Sequence, residues 1–236
     1  MKKIRIPILE VSNITKKTKK ASLERVNFSV TAGDSLAVLC KNNEACDLML
    51  DILSGLVKPE KGKVFFKGDD VTKEKNSFGI VPRKSGVSPR KTINEIAAAP
   101  IVKRGLSRAM TSVLVEKEMP AMELEEYSKK PFSSLPENIR ARGELFAAYM
   151  CSHELIAVCE PFGELSDEER REETKRLLKL KNTSKLSLLV FTDDLDTAIA
   201  FGDTVMVVDD SLGSKGIIAV ANSKDKARQR LEELFV

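Results

Sequence analysis

The chain has 236 residues, 42% hydrophobic and 31% charged, which are globular values with room for a substantial interior. A formal net charge of +4 is too mild to indicate nucleic acid by itself. There is no apolar run of the roughly 18 residues that a membrane span requires, and Met1-Lys2-Lys3 leads into a proline-containing strand rather than the apolar core of a signal peptide. The four cysteines (40, 46, 151 and 159) have neither zinc-ligand spacing nor the pattern of a disulfide framework, which suits a reducing cytoplasm.

In chain order, Ile6–Val11 and Arg25–Val30 read as strands, and Lys16-Lys17-Thr18-Lys19-Lys20 as a solvated hairpin tip between them. Asp34-Ser-Leu-Ala-Val-Leu39 is a short apolar strand opened by Ala32-Gly33. Leu48–Gly55 has helical spacing with a glycine stop, and the helix is expected to begin near Cys46. Lys63–Phe66 and Ser77–Pro82 are further strands. From Arg83 the character changes, and Thr92–Ala99, Met110–Lys117 and Ile139–Met150 look helical. Apolar runs return at Leu155–Val158, Leu186–Phe191, Thr204–Val208 and Ile217–Val220, alternating with helical stretches at Asp167–Leu180 and Leu195–Ala200. The end, Lys224–Leu234, looks helical. Buried apolar strands alternating with helices indicate an α/β fold with a parallel core. The division expected is 1–82 and 146–236 as the core, carrying an N-terminal antiparallel β subdomain, with 83–145 as an inserted helical subdomain.

Between the strand ending at Leu39 and the helix after it, the scaffold is that of a phosphate-binding loop, G-x-x-x-x-G-K-[ST]. The residues that would do its chemistry are missing. No glycine lies between Gly33 and Gly55, Cys46 stands at the lysine position, and Asp47 at the hydroxyl position. Asn42 and Asn43 can visit left-handed conformations, so a nest-like turn is expected there. Asp47 brings a carboxylate where a polyanion would sit; at about 4 Å and an effective dielectric near 20, one such contact opposes binding by roughly 4 kcal/mol. With Glu44 just ahead, Asp47 is also expected to cap the start of the helix in place of phosphate. Cys46 is expected to be a buried, inert thiol, and the lone His153 a surface residue.

The order of elements closely resembles the ATP-binding subunit of ABC transporters over nearly the whole chain. The resemblance is carried by Leu9-Glu-Val-Ser-Asn-Ile-Thr, Leu23-Glu-Arg-Val-Asn-Phe-Ser-Val-Thr-Ala-Gly33, Ile52-Leu-Ser-Gly-Leu-Val-Lys-Pro-Glu-Lys-Gly62, Phe78-Gly-Ile-Val-Pro, Glu160-Pro-Phe-Gly-Glu-Leu165 and Thr192-Asp-Asp-Leu-Asp-Thr-Ala198. It implies where the family's working positions fall. The Walker A lysine falls on Cys46 and the two hydroxyl residues on Asp47 and Leu48. The Q-loop glutamine falls on Arg83, and the signature L-S-G-G-Q on Leu135, Pro136, Glu137, Asn138 and Ile139. The Walker B aspartate falls on Cys159, the switch histidine on Asp193, and only the catalytic glutamate survives, as Glu160. The family's adenine-stacking aromatic has no counterpart, since residues 11–27 contain no aromatic side chain.

These substitutions predict a degenerate ABC-type domain, a pseudo-ATPase with a regulatory or scaffolding role and no cofactor. ATP and Mg²⁺ are expected only on the alternative reading, a divergent subunit of a working transporter. A third reading is the N-terminal ABC-like part of a LytTR-type transcriptional regulator whose DNA-binding module would follow Val236. Within these residues no recognition helix or aromatic platform for nucleic acid stands out. Without a ligand set for metal or phosphate, Glu160 is expected to be a leftover or a salt-bridge partner, and Arg83 to pair with at least one of Asp47, Glu160 and Asp193. The resemblance implies a protein partner, either another ABC-type domain or a membrane permease, and a cytoplasmic location, peripheral to the inner membrane face.

Overall fold

The computed structural model describes residues 7–220 and 224–235; Met1-Lys2-Lys3 and Ile6, the expected opening of the first strand, lie outside the described residues. The first sheet is antiparallel, in the order β2 (Ser22–Thr31), β1 (Pro7–Lys17), β4 (Lys61–Phe66), β5 (Asp69–Asp70). Along β2 buried Val26, Phe28 and Val30 alternate with exposed Asn27 and Ser29, the pattern of a sheet with one face on a core. The hairpin between β1 and β2 turns at Thr18–Ala21, closed by Thr18 N–H donating to the Ala21 carbonyl at 2.9 Å, so the lysine run does mark a tip.

The second sheet has six strands in the order β10 (Ser214–Ala219), β9 (Thr204–Val208), β3 (Ser35–Leu39), β8 (Ser187–Thr192), β7 (Leu155–Cys159), β6 (Gly79–Val81). From β9 to β6 it is parallel; β10 returns antiparallel on β9, which the apolar run at 217–220 could not reveal. Every residue of β3, β7 and β8 is buried, as expected for strands covered on both faces. One apolar cluster lies on the side of the first sheet and α1 (Asn43–Leu53), around Leu9, Val38, Met49 and Phe191. The other, around Leu39, Phe146, Ile156 and Leu188, continues without a break into the helices that follow β6. Both are needed because the sheet is apolar on both sides.

Between β6 and β7 the chain is helical: α2 (Ile93–Lys103), α3 (Arg108–Glu118), three short 3₁₀ turns and α4 (Glu137–Cys151). The start of α2 is set by a capping box, with Glu95 N–H donating to Thr92 Oγ1 and Thr92 N–H to Glu95. α4 is one continuous helix that runs from this insertion back onto the core, so a division at 145/146 falls inside it. Its close approach to β6 demands Gly79: a Cβ there would collide with the Ala148 carbonyl oxygen. After β7 come α5 (Asp167–Ser184), α6 (Leu195–Phe201) and, after β10, α7 (Lys224–Phe235). α5 opens with a second capping box, Ser166 and Glu169. No helix among the described residues is long and apolar enough to cross a membrane.

Candidate functional site

Parallel strands β3, β7 and β8 end side by side, and the segments beyond their C-terminal ends form the site. After β3 only Cys40, Lys41 and Asn42 separate strand from helix. Cys40 N–H donates to the Thr192 carbonyl (2.9 Å), and the Asn42 side chain donates to the Asp210 carbonyl (2.9 Å), which pins this short connection to its neighbours. Asn42 is extended (φ −89°, ψ 94°) and caps α1, its Oδ1 accepting from Ala45 N–H at 3.0 Å.

Four expectations are overturned here. No residue between Gly33 and Gly55 has positive φ, so Asn42 and Asn43 do not form a left-handed nest. The helix begins at Asn43 rather than near Cys46, because Asn42 supplies the cap three residues earlier. Asp47 therefore lies in the second turn, beyond reach of the free N–H groups, and is not the capping residue. The expectation of an inert Cys46 thiol also fails: Cys46 is buried but bonded to Cys40 across the connection, with Cα atoms 7.5 Å apart. Strand end and first helical turn bring the two sulfurs together, a juxtaposition that a spacing of six does not announce. Cys151 and Cys159 are the cysteines that stay as thiols, both buried.

Asp47 instead turns toward the end of β6. Arg83 Nε donates to Asp47 Oδ1 at 3.3 Å, Arg83 Nη2 to Asn43 Oδ1 at 2.7 Å, and Arg83 Nη1 lies 3.6 Å from Glu160 Oε1. Arg83 thus pairs with two of the three carboxylates named for it. Asp193, the third, is exposed and contributes its backbone N–H, which donates to Glu160 Oε1 at 2.8 Å. Cys159, at the end of β7, donates its thiol to Asp47 Oδ1 (3.8 Å). Burial pushes the Cys159 thiol well above its ordinary range, so it stays protonated and offers a metal no charge.

Glu160 sits in a left-handed conformation (φ 48°) that aims its carboxylate at the end of β8. Thr192 Oγ1 donates to Glu160 Oε2 at 2.9 Å, so both oxygens are engaged. Burial raises its pKa, opposed by hydrogen bonds from Asp193 and Thr192. A carboxylate with both oxygens occupied and a guanidinium beside it is a salt-bridge partner, poorly placed to draw a proton from water.

The residues present do not fit Mg²⁺-nucleotide. The connection between β3 and α1 has no nest of N–H groups, a carboxylate stands at the hydroxyl position and is held by Arg83, and the position at the end of β7 is a neutral thiol. Among the described residues, no three His, Cys, Asp or Glu side chains converge as metal ligands. Leu48 faces the core, buried.

The residues expected as the degenerate signature lie at the entry to α4. Leu135 and Ile139 are buried in the core, Pro136 precedes the helix, and Glu137 pairs with Arg140 one turn on. The side chain of Asn138 accepts a hydrogen bond from Ile139 N–H. Of the residues expected at the signature and the nucleotide site, Glu137 shares a cleft of about 540 Å³ with Arg83, Cys159 and Glu160, and Arg140 lines it too. The same cleft holds Glu144, whose carboxyl is raised by burial and hydrogen-bonded to Ser85. Thr192 and Glu144 lie outside the set expected from the sequence. Thr192 adjoins Asp193, which is in that set, but nothing in the sequence says which way its side chain turns.

This arrangement, with its site beyond the strand ends of a largely parallel sheet and a helical insertion between β6 and β7, matches known proteins. A family model described as ABC transporter matches residues 23–163, more than half of the chain. The chain belongs to the ABC transporter family. The molybdate/tungstate import ATP-binding protein WtpC of Pyrococcus horikoshii is 20% identical over 204 residues, 85% of this chain and 59% of its own length. The bicarbonate transport ATP-binding protein CmpD of Synechococcus elongatus is 24% identical over 236 residues, 96% of this chain and 85% of that protein. The chain spans about 59–64% of the length of its molybdate/tungstate and Fe(3+) import relatives. Among solved structures, a nucleotide-free ATP-binding cassette from an ABC transporter superposes with a TM-score of 0.80 at 17% identity, covering 98% of this chain and 99% of that one. A subunit of the cbiONQ ABC transporter complex from Clostridium perfringens gives 0.77 at 17% identity, covering 97% of each chain. The fold is therefore that of an ABC ATP-binding cassette.

Proposed function

We propose that this ABC-family domain is a pseudo-ATPase, keeping the cassette fold for a regulatory or scaffolding role in an ABC-type assembly and neither binding nor hydrolysing Mg²⁺-ATP. One observation carries the reading: the Arg83 guanidinium, joined to Asn43, Asp47 and Glu160, pairs with the carboxylates at the positions where the working residues of the family converge. Asn42, Asn43, Cys46, Asp47, Leu48, Arg83, Cys159, Glu160 and Asp193 form the degenerate nucleotide site, and Leu135–Ile139 the degenerate signature. Losses in both halves matter because a head-to-tail dimer builds each site from one chain's loop and the other's signature. A normal partner would leave one site without the first and the other without the second.

The partner in this reading is a second ABC-type domain or a membrane permease, at the cytoplasmic face of the membrane. The relatives are named as import or transport ATP-binding proteins, which supports a place in a transport assembly. Titration with labelled ATP in the presence of Mg²⁺ tests the proposal, and no saturable binding up to millimolar nucleotide is expected. A saturable, magnesium-dependent thermal shift would instead favour the divergent subunit of a working transporter. Cys46→Lys alone should not confer binding, because Asp47, Cys159 and the missing nest remain.

A further inference from the structure

The four cysteines divide by place. Cys151 and Cys159 stay as buried thiols, whereas Cys40 and Cys46 are joined to each other. Their bond spans the connection that stands where a phosphate loop is expected: Cys40 is the first residue after β3, and Cys46 the fourth of α1. Both are buried, 1% and 0% exposed, under a stretch whose Lys41 and Glu44 face solvent, so a small molecule reaches the sulfurs when that stretch opens. The bond is not alone in holding the connection. Cys40 N–H donates to the Thr192 carbonyl (2.9 Å), Asn42 caps α1 and donates to the Asp210 carbonyl, and Cys46 N–H donates to the Asn42 carbonyl (3.2 Å). These contacts use backbone groups and the Asn42 side chain, so none is lost when the sulfurs separate.

We propose that Cys40 and Cys46 are a reversible thiol–disulfide pair, a redox-modification site at the start of α1 that opens without unfolding the chain. The inference rests on the proposed function only for its cytoplasmic location, where small thiols keep cysteines reduced and a disulfide is as a rule transient, catalytic or redox-sensing. The reductant is a small thiol such as glutathione. Its thiolate attacks one sulfur of the pair, the other sulfur leaves and takes up a proton, and a second small thiol resolves the mixed disulfide. The pair thereby gains two electrons and two protons, and the two small thiols leave joined as their own disulfide. The attacking thiol comes from outside the chain. Cys159, whose thiol meets the same Asp47 that follows Cys46, is kept protonated by burial, burial raises Cys151 too, and a protonated thiol is a poor nucleophile. Closing so short a ring restricts the backbone of residues 41–45. Opening it loosens the entry to α1, and with it Asn43 and Asp47, which accept from Arg83, while the hydrogen bonds keep the helix in place.

The full chain, equilibrated with reduced and oxidised glutathione in varied ratio, then quenched in acid, unfolded and alkylated, tests the pair. As the ratio turns reducing, the mass should move from two labels to four, while helix content by circular dichroism stays constant. Amides of 41–47 should exchange about tenfold faster in the reduced form, and those of β3, β7 and β8 within about twofold. Cys40→Ala combined with Cys46→Ala should exchange like the reduced parent in every buffer. Two labels at every ratio until denaturant is added would make the bond a permanent staple, and four at every ratio would mean that it does not form. Either result overturns the proposal. So does a fall in helix content on reduction, unchanged exchange at 41–47, or a double variant whose exchange still responds to glutathione. Saturable Mg²⁺-ATP binding, measured separately, would sink the pseudo-ATPase reading and leave the label count as it is.

Discussion

Two arginines join separate elements under opposite conditions: Arg142 on α4 pairs with Glu173 on α5 and also donates through Nη1 to the carbonyls of Met122 and Glu123 (3.3 Å each), and Arg83 after β6 pairs with Asp47 on α1 and Glu160 after β7. Arg142 and Glu173 are sealed, with side-chain exposures of 7% and 2%, whereas Arg83 meets Asp47 and Glu160 at the mouth of a cleft. A sealed pair has lost its hydration and depends wholly on its partner, so removing one member strands a charge. A pair at a cleft mouth keeps some water and gives up little when broken. The two pairs therefore differ in how much each should contribute to stability, and Arg83, Cys159 and Glu160 line the cleft.

The largest effect should come from the sealed side. Arg142→Ala leaves buried Glu173 with only the longer contact from Arg176 (3.5 Å) and should lower stability by about 3 kcal/mol, the lower end for a broken buried pair, a Tm drop on the order of 10 °C. Replacing both members by apolar residues, Arg142→Met with Glu173→Leu, should recover most of it. A double variant no more stable than the single one would show that the carbonyls of Met122 and Glu123, rather than the charge pair, make Arg142 necessary.

Next comes the end of α1 beside the cleft. Asn42→Ala removes the acceptor for Ala45 N–H and should lower stability by about 1 kcal/mol, read from a denaturant midpoint. Asp47→Ala should do less, since Asp47 is not the cap; an alanine at 47 more damaging than one at 42 would restore Asp47 to that role.

Arg83→Ala should reduce stability by no more than about 1 kcal/mol, the upper end for a partly exposed pair, and the difference from the parent should shrink with added salt. A loss as large as that of Arg142→Ala would erase the contrast between the two ties.

The smallest effect is in pH dependence. Burial raises the folded pKa of Glu144 and, against its hydrogen bonds, of Glu160. Each then binds its proton more tightly folded than unfolded, so its contribution is fully present below the unfolded pKa. That contribution is lost as pH rises from the ordinary carboxylate range through the raised value. Glu144→Gln cannot ionise, so its Tm relative to the parent should rise between pH 4 and pH 7. A relative Tm that falls over that interval would mean that the carboxylate is stabilised by the cleft.

The sequence by itself determined the architecture. Strands such as Leu155–Cys159 and Ser187–Thr192 are dominated by apolar residues because both faces of a parallel sheet are covered, and that pattern is local and legible. That G-x-x-x-x-G-K-[ST] does not occur between Gly33 and Gly55 is equally plain, since a motif consists of residue types at fixed spacings. Arg83, Asp47 and Glu160 could be named together only because the family resemblance placed their backbones at one site. Only tertiary structure decided that Asn42 rather than Asp47 caps α1, since both are good capping residues and the choice depends on where the strand end lets the helix begin. The same holds for Cys40 meeting Cys46, for Glu160 turning to Thr192, and for Arg142 finding Glu173 31 residues away on another helix. Contacts between side chains on separate elements are set by how those elements pack, and no spacing along the chain encodes them.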